Sequence, residues 1–448
     1  MKSASLQQWL KYIEQAHPKT IDLGLSRISQ VGSRGGLLNF TLPIVMVSGT
    51  NGKGSTVAIL AKLLLDSGKR VGTYTSPHLH HFNERIQING QSLQDEQLCE
   101  AFSQIEILRE NTQLTFFEFT TLAAFWLFQK HQHELDILIL EIGLGGRQDA
   151  VNVITPDLAI ITSIGYDHQE YLGQTLDSIA FEKAGILREG IPVVLSRDAQ
   201  ITSLLEQAEI LHNRLYVEDK DFAYERSEWR FRGKVVKLTD IYLPSNSVSL
   251  AMAAYTILGE HYFSLADLCL IAPRLEKCMM KGRFERMIFN KTLIVFDVAH
   301  NPQGATWLAN RIKSLNCQGK IYAVWSSLRD KDLSGIIEPL KEIVDVWCVG
   351  AICQTRASTT QSLCNALLRC NVNDVCEFST VTEAFHSTME MVQAEDMVVV
   401  FGSFYAVSEV MASLSSFEKD FQNNGLYKID SRPSDANSFA ISGVTWKS

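Results

Sequence analysis

The sequence lacks the features that would direct a protein to nucleic acid or to a membrane. Lys and Arg together number 41 against 50 Asp and Glu, and the formal net charge is −9. Electrostatic attraction to nucleic acid is therefore not expected. No apolar run is long enough for a membrane-spanning helix, and the helical pattern before Pro18 is interrupted by polar residues, unlike a signal peptide. We expect neither nucleic acid nor a membrane as a partner.

Cysteine pairing is the next feature that is missing. The nine cysteines form no C-x-x-C pair and lie mostly in the C-terminal half. An odd, unpatterned set in a chain of this length indicates reduced thiols, so we expect a cytoplasmic protein. We also expect a monomer.

A length of 448 residues leaves room for two or more domains.

The most informative stretch runs from an apolar strand at Val45 through the loop Gly49-Thr-Asn-Gly-Lys-Gly-Ser55 into an apolar helix. Strand, glycine loop and helix form the order that a phosphate-binding loop requires, because backbone N–H groups and the helix N-terminus then face the anion. Lys53 supplies charge for the β- and γ-phosphates, and Ser55 or Thr56 a hydroxyl for Mg²⁺. Gly54 departs from the usual spacing. The alternative is a glycine-rich turn with a surface lysine.

Polar side chains follow three predicted strands. Glu141 ends a buried strand, His168 follows the next one, and Ser76 follows a short strand from Arg70. Because the carboxyl ends of strands converge on the ligand crevice of an open α/β sheet, these side chains are placed where chemistry can occur. A carboxylate that ends a buried strand beside a phosphate loop is placed to serve as a Mg²⁺ ligand, directly or through water. The alternatives are a turn cap for Glu141, a surface histidine for His168 and a pre-proline turn for Ser76.

The alternation of strands and helices predicts an α/β protein of two domains. We place an N-terminal phosphate-loop ATPase domain with a mostly parallel sheet at residues 1–287. A smaller Rossmann-like α/β domain, built from strands that alternate with helices, occupies residues 288–420, and one of its helices is predicted from Leu328 to Ile343. A polar tail without periodicity covers residues 421–448.

With these motifs assembled, the chain resembles the Mur ligase superfamily and, more closely, the folylpolyglutamate synthase/dihydrofolate synthase family. The resemblance runs from about Ile21 to Val410 and rests on motifs that occur in one order. They are Gly49 to Ser55, Ser76-Pro-His78, Glu141 to Arg147, Asp167-His168, Glu182-Lys-Ala-Gly185, Gly282-Arg-Phe284, Asp297-Val-Ala-His-Asn-Pro302, Asp330-Lys-Asp332 and Phe401-Gly-Ser-Phe404.

The resemblance implies an ATP-dependent ligase that joins the carboxylate of a pteroate or folate to the amine of L-glutamate through an acyl phosphate. It implies that Gly52, Lys53, Gly54 and Ser55 hold the triphosphate, with further nucleotide contacts from Asn246, Arg283 and Asp297. It further implies that Ser76, Glu141 and His168 hold Mg²⁺, with two ions in all, that Lys183 is carbamylated, and that His300 lies close to the transferred phosphoryl group. Because these contacts come from both domains, ATP is expected at their interface.

Three segments match those that form a dihydropteroate pocket in bifunctional bacterial members of the family. They are Asp22, Leu23, Gly24 and Leu25; Phe116, Phe117, Glu118 and Phe119; and Gln148, Asp149 and Ala150. The match favours a dual enzyme that makes dihydrofolate from dihydropteroate and then extends reduced folates with further glutamates. Gln148, Val151, Lys281 and Ser326-Ser327 depart from the residues usual in the family.

Other functions remain open at this point. One is polyglutamylation alone, and another is a non-catalytic nucleotide-binding protein. A peptidoglycan-type ligase would ordinarily need a dedicated N-terminal domain, and only Met1 to Pro43 precede the phosphate-loop strand. An ATPase or GTPase switch is disfavoured because the strand-end carboxylate is Glu141 rather than an aspartate.

Overall fold

The computed structural model describes residues 4–19, 21–238, 241–276, 278–289, 292–422 and 440–441. The chain divides into two compact units, of which the first ends at Cys278 and the second begins at Met279. Among the described residues, no helix is both long and apolar enough to cross a membrane.

The first unit contains ten α-helices and eleven strands among its described residues. The helices are α1 (Leu6–Gln15), α2 (Ser26–Arg34), α3 (Lys53–Asp66), α4 (Asp95–Arg109), α5 (Phe116–Lys130), α6 (Gln169–Leu172), α7 (Leu176–Ala184), α8 (Thr202–Ile210), α9 (Ser245–His261) and α10 (Leu268–Ile271). The strands are β1 (Ile44–Ser48), β2 (Val71–Tyr74), β3 (Ile86–Ile88), β4 (Gln91–Ser92), β5 (Ile137–Glu141), β6 (Leu158–Ile161), β7 (Pro192–Leu195), β8 (Arg214–Val217), β9 (Phe222–Glu225), β10 (Glu228–Phe231) and β11 (Lys234–Lys237).

Eight of these strands form one sheet in the order β4-β3-β2-β5-β1-β6-β7-β8, and β11-β10-β9 form a small antiparallel sheet. In the large sheet β3 pairs antiparallel with both β2 and β4, and every other pair of neighbouring strands is parallel. β1, β5 and β6 are buried along their whole length, which explains their continuous apolar sequences. Since β1 lies between β5 and β6, the loops that follow these three strands meet at one edge of the sheet.

The second unit is built on a sheet of six strands in the order β13-β14-β18-β15-β16-β17, in which only β13 is antiparallel. Its strands are β12 (Met279–Met280), β13 (Glu285–Phe289), β14 (Thr292–Asp297), β15 (Ile321–Trp325), β16 (Val346–Ala351), β17 (Val375–Thr380) and β18 (Met397–Phe401), and a short β19 (Ala440–Ile441) follows later in the chain. Its helices are α11 (Pro302–Lys313), α12 (Leu333–Ile337), α13 (Thr360–Arg369), α14 (Val381–Met391) and α15 (Phe404–Gln422).

The predicted α/β fold with two mostly parallel sheets is confirmed. The division between the units falls before the boundary predicted at residue 288, because β13 pairs with β14. The helix predicted from Leu328 to Ile343 is shorter and spans Leu333–Ile337. Most of the predicted polar tail, residues 423–439 and 442–448, lies outside the described residues.

Candidate active site

The phosphate loop leaves the end of β1 and turns into α3 through two glycines with positive φ, Gly49 at 151° and Gly52 at 82°. A Cβ on Gly49 would overlap the hydroxyl of Thr162, so only glycine fits there. The Lys53 ammonium folds back over the loop and donates to the carbonyl oxygens of Gly49 at 3.0 Å and Thr50 at 3.3 Å. The loop therefore holds its own cation in the hollow where a phosphate would bind.

Hydroxyl groups at the end of β6 fix the shape of this loop. Thr162 Oγ1 donates to the carbonyl oxygen of Asn51 at 2.6 Å, and Asn51 N–H donates to Ser163 Oγ at 2.9 Å. Thr50 N–H donates to the Ser163 carbonyl, and its hydroxyl donates to the Gly165 carbonyl at 3.1 Å. Thr162 and Ser163 are not among the residues predicted from the sequence, although two hydroxyl residues directly after a buried strand are a recognisable signal.

Ser55 and Glu141 supply oxygen atoms beside the first turn of α3. Ser55 is 1% exposed, and its hydroxyl has no hydrogen-bond partner among the described residues. Glu141 Oε2 accepts from Ser76 N–H at 3.0 Å, and a Cβ on Gly54 would lie 3.3 Å from the same oxygen. A buried hydroxyl normally has a partner, so the orphaned Ser55 oxygen, one residue after the glycine that faces Glu141, fits a hard cation such as Mg²⁺.

His168 follows β6 and adopts a left-handed backbone conformation, with φ at 50°. Its Nε2 lies 3.9 Å from an oxygen of the largely buried Asp167 carboxylate. No group of three or more His, Cys, Asp and Glu side chains in the described ranges lies close enough together to hold a metal ion. The predicted Mg²⁺ ligands are Ser76, Glu141 and His168, and serine is not one of these four residue types. Their role as ligands stays a prediction.

Lys183 extends from the last turn of α7 to the phosphate loop. The side chain is 3% exposed, and its ammonium donates to the carbonyl oxygen of Gly49 at 2.9 Å. Burial and, to a smaller extent, the nearby charge of Lys53 lower the pKa of Lys183 from 10.5 to about 7. Close to neutral pH this side chain is therefore a partly deprotonated amine, which is the form that acts as a nucleophile.

The glycine loop after β5 fixes the end of α7 and thus Lys183. Arg147 N–H donates to the Glu182 carbonyl at 2.7 Å, and a Cβ on Gly146 would lie 2.7 Å from the same carbonyl oxygen. A Cβ on Gly185 would overlap the Arg147 backbone. This close approach of two backbones requires glycine on both sides.

Asn246 reaches the same region from the start of α9. Its Nδ2 donates to the Thr162 carbonyl at 3.2 Å, while its buried Oδ1 has no hydrogen-bond partner in the described part of the chain. The next residue, Ser247, donates its hydroxyl to the Gly52 carbonyl at 3.4 Å. The residue predicted to contact the nucleotide thus lies beside the phosphate loop, within the first unit.

Arg27 joins two of the three segments predicted to bind pteroate. Its guanidinium donates to Asp22 Oδ2 at 2.7 Å and, through Nε, to Glu118 Oε1 at 3.0 Å. A hydrogen bond from Lys19, followed by the charge of Arg27, lowers the pKa of Asp22. The third segment is tied in by Gly24 N–H, which donates to the Gln148 carbonyl at 3.2 Å. Arg27 is not among the residues predicted from the sequence, since an arginine in the first turn of a helix gives no distinctive signal.

The other predicted pocket residues divide into half-buried and core positions. Leu23, Leu25, Phe116 and Phe117 are half-buried, and the Phe117 ring lies against Gly143 and Tyr74. Phe119 and Ala150 are buried, and the Phe119 ring packs on Phe102 in the core.

Asp149 is buried and accepts from Leu144 N–H at 2.8 Å and Val151 N–H at 3.0 Å. Burial raises the pKa of Asp149 to about 7. These two hydrogen bonds show that the Asp149 carboxylate stabilises the glycine loop that follows β5.

In the second unit, the predicted residues Arg283 and His300 both lie near one aromatic ring, that of Phe404. The Arg283 guanidinium is 5.1 Å from the Phe404 ring centre, and the His300 ring is 6.3 Å from it. His300 Nδ1 lies 2.8 Å from the Val298 carbonyl oxygen, so Nδ1 carries the proton that it donates to this oxygen. Nε2, on the other side of the ring, points away from that carbonyl. Asp297 is buried and accepts from Phe284 and Ala299 N–H, each at 2.8 Å, and burial raises its pKa to about 6.

Comparison with known proteins shows to which family this arrangement of residues belongs. Residues 47–262 match the model of the Mur ligase middle domain, and residues 282–404 match that of the Mur ligase glutamate ligase domain. A Haemophilus influenzae dihydrofolate synthase/folylpolyglutamate synthase is 38% identical, and the match covers 92% of this chain and 98% of the relative. The chain belongs to the dihydrofolate synthase/folylpolyglutamate synthase family. A Lacticaseibacillus casei folylpolyglutamate synthase is 30% identical over 83% of this chain and 89% of the relative.

Solved structures of the dihydrofolate synthase/folylpolyglutamate synthase family agree with this assignment. Escherichia coli FolC, solved in complex with DHPP and ADP, has a TM-score of 0.86 and 34% identity, covering 93% of this chain and 99% of its own. A bifunctional member solved with Mn, AMPPNP and L-glutamate has a TM-score of 0.84 and 37% identity, with the same coverage. The predicted family, the fold and the assignment as an ATP-dependent glutamate ligase are confirmed.

Proposed function

We propose that the chain is a bifunctional ligase that adds L-glutamate to dihydropteroate, giving dihydrofolate, and to tetrahydrofolates, giving polyglutamates. The observation that carries this proposal is the convergence of Lys53, Lys183, Ser55 and Glu141 on one phosphate loop. Such a loop supplies charge and hydrogen bonds to a triphosphate, while the anchored segments around Arg27 supply a place for the acceptor.

The donor set beside the loop fits a divalent cation. Ser55 and Glu141, with Ser76 and His168 from the neighbouring strand ends, would hold Mg²⁺, and two ions are proposed in all. The bound ions would neutralise charge on the phosphates of ATP. Lys53 would move from the Gly49 carbonyl to the phosphate oxygens, because an anion is a stronger acceptor for an ammonium than a carbonyl is.

Lys183 is proposed to carry a carbamate. Its neutral amine would attack the carbon of CO₂ and release one proton to solvent, so that a buried cation becomes an anion. The lowered pKa makes the neutral amine available near pH 7. The product would remove the repulsion between two ammonium groups that share the Gly49 carbonyl.

The reaction would run in two transfers. A carboxylate oxygen of the acceptor attacks the γ-phosphorus of ATP, the bond to the β-γ bridging oxygen breaks, and ADP leaves. The amine of L-glutamate then attacks the acyl phosphate carbon, loses a proton and expels inorganic phosphate. Lys53 would stabilise the charge on the transferred group. His300 is also proposed to lie close to the transferred phosphoryl group. Asn246, Arg283 and Asp297 are proposed to contact the nucleotide.

A second function, polyglutamylation alone, is favoured by the similarity to the Lacticaseibacillus casei enzyme, whose name mentions only that activity. The linked segments of Asp22, Glu118 and Gln148 support the dual function instead. We also propose that the protein is a cytoplasmic monomer.

The deciding experiment measures phosphate release from Mg-ATP with L-glutamate and either dihydropteroate or tetrahydrofolate, with products identified by mass. Turnover with both acceptors is expected. Turnover with tetrahydrofolate alone would restrict the enzyme to polyglutamylation. Binding of ATP without turnover of either acceptor would contradict the proposal that the chain is a ligase for these acceptors.

A further inference from the structure

Two cysteines of the second unit lie side by side on neighbouring strands. Cys348 on β16 and Cys376 on β17 are register partners in the parallel pairing of these strands. Residues that pair directly point to the same face of a sheet, and neighbouring strands lie about 4.8 Å apart. A disulfide joins cysteines whose Cα atoms are about 4.4–6.8 Å apart. The spacing of the two strands therefore suits a bond between these two residues.

The two thiol groups are in contact on the face of the sheet that α14 covers. The Cys348 thiol is hydrogen-bonded to the Cys376 thiol and to the hydroxyl of Thr388, which lies on α14. α14 packs against both strands. Both cysteines are free thiols, and their sulfur atoms need little movement to form a bond.

The two cysteines differ in their access to solvent. Cys348 is completely buried, and burial raises the pKa of its thiol to about 11. Cys376 is half-buried, and its strand is the last of the sheet, with a neighbour on one side only. A small oxidant from solvent therefore reaches Cys376 first, while Cys348 stays behind it as a protonated thiol.

We propose that Cys376 and Cys348 form a reversible oxidation site for hydroperoxides, in which Cys348 captures oxidised Cys376 as a disulfide. The proposal is independent of the ligase reaction. Disulfides of cytosolic proteins are usually transient and redox-sensing rather than structural. A pair that is reduced in the resting protein and close enough to bond fits that class.

Hydrogen peroxide supplies the oxidising equivalents. The Cys376 sulfur attacks one peroxide oxygen, the O–O bond breaks, and a sulfenic acid and one water are formed. The Cys348 sulfur then attacks the Cys376 sulfur, and the hydroxyl group leaves with the Cys348 proton as a second water. The two thiols together lose two electrons, and one peroxide is reduced to two waters. Without Cys348, the sulfenic acid would be open to further oxidation to the irreversible sulfinic acid.

Mass spectrometry of the full chain after treatment with hydrogen peroxide tests this proposal and requires no turnover. We expect wild-type protein to lose the mass of two hydrogen atoms in peptides that link Cys348 to Cys376, and dithiothreitol to reverse the loss. In Cys348→Ala, Cys376 should instead gain the mass of two oxygen atoms, and dithiothreitol should not remove them. Circular dichroism confirms that the variants are folded.

Cys353→Ser is the matched control, because Cys353 lies shortly after Cys348 in the chain and is exposed. If exposure alone decided which thiol reacts, Cys353 would be oxidised in place of Cys376. We expect Cys353→Ser to keep the link between Cys348 and Cys376, and Cys376→Ser to lose it.

Three results would overturn the proposal. The first is the absence of this link at a peroxide concentration that oxidises Cys353. The second is a link that persists in Cys376→Ser with another cysteine in its place. The third is full recovery of the Cys376 thiol by dithiothreitol in Cys348→Ala, which would show that Cys348 gives no protection.

Discussion

Lys53 and Lys183 donate to the same acceptor, the carbonyl oxygen of Gly49, at 3.0 and 2.9 Å. Two ammonium groups on one carbonyl repel each other, and Lys183 is also buried. Both effects favour the neutral form of Lys183, and burial is the larger of the two. The phosphate loop is thus arranged around an excess of positive charge that an anion would relieve.

Replacing Lys183 with Met is expected to stabilise the fold while abolishing ligation. Below pH 7 the folded protein holds a buried cation at a cost of about 5 kcal/mol, since the pKa falls from 10.5 to about 7. Between pH 7 and 10.5 the unfolded chain binds the proton that the folded chain has released, so wild-type stability rises with pH. The gain from Lys183→Met should therefore be larger at pH 6 than at pH 9.

Urea unfolding of both proteins at the two pH values, in CO₂-free buffer, measures this difference. Lys62→Met is the control, because Lys62 is also buried but is paired with Asp66 at 2.6 Å. The Lys62→Met substitution should destabilise the protein at both pH values. An equal gain for Lys183→Met at pH 6 and pH 9 would contradict a lowered pKa.

Replacing Ser55 with Ala is expected to leave stability unchanged or slightly raised and to weaken Mg²⁺-dependent binding of ATP. An unpartnered buried hydroxyl costs about 1–3 kcal/mol, and alanine removes that cost. Loss of a metal-binding oxygen should raise the Mg²⁺ concentration needed for half-maximal activity at least about tenfold. Thr56→Ser, which keeps the hydroxyl bonded to Gly52, is the control. A lower Tm with an unchanged Mg²⁺ requirement would make Ser55 a structural residue.

Replacing Arg27 with Gln is expected to raise the KM for dihydropteroate about tenfold, because displacement of binding groups by about 1 Å weakens positioning strongly. The KM for ATP should not change. Steady-state kinetics with each substrate varied gives both values. Arg70→Gln, which breaks a bidentate pair with Asp136, is the control for the loss of an ion pair. Equal rises in the two KM values for Arg27→Gln would argue against a role in the acceptor pocket.

Replacing Gly185 with Ala is expected to lower kcat and to destabilise the protein by about 1–3 kcal/mol, because the new methyl overlaps the Arg147 backbone and displaces the end of α7. Gly259→Ala is the matched control. Gly259 lies within α9, and its added Cβ would be 3.5 Å from the nearest neighbour. That variant should be about 0.5–1 kcal/mol more stable and fully active. Thermal unfolding and kcat are measured on both, and a fully active Gly185→Ala would show that α7 tolerates displacement.

The parts of the site that follow strands could be predicted from sequence. Gly49 to Ser55, Glu141 and His168 stand out because a buried strand is a long apolar run and the polar residue after it marks its end. The rule that such ends converge then places them together. The order of the strands agrees with this rule, since β1 lies between β5 and β6, and the roles of the residues that follow them stay predictions.

The residues that hold the site together could not be found in that way. Arg27 reaches Glu118 across more than ninety positions of sequence, and only the packing of α2 against α5 reveals the pair. Asp149 is predicted to belong to the pteroate pocket, and only the structure shows that its carboxylate accepts from backbone N–H groups of its own loop. Helix length was also overestimated for α12, because an apolar pattern does not fix where a helix ends.

The hydrogen bonds from Thr162 and Ser163 to the phosphate loop have a consequence for the free energy of nucleotide binding. A flexible loop must lose conformational entropy when it closes on a ligand, and that loss is subtracted from the affinity. Here Asn51 and Thr50 are already held by the end of β6. ATP would therefore meet a loop whose backbone is ordered in advance, and the contacts it makes would contribute to affinity with little of that entropic loss.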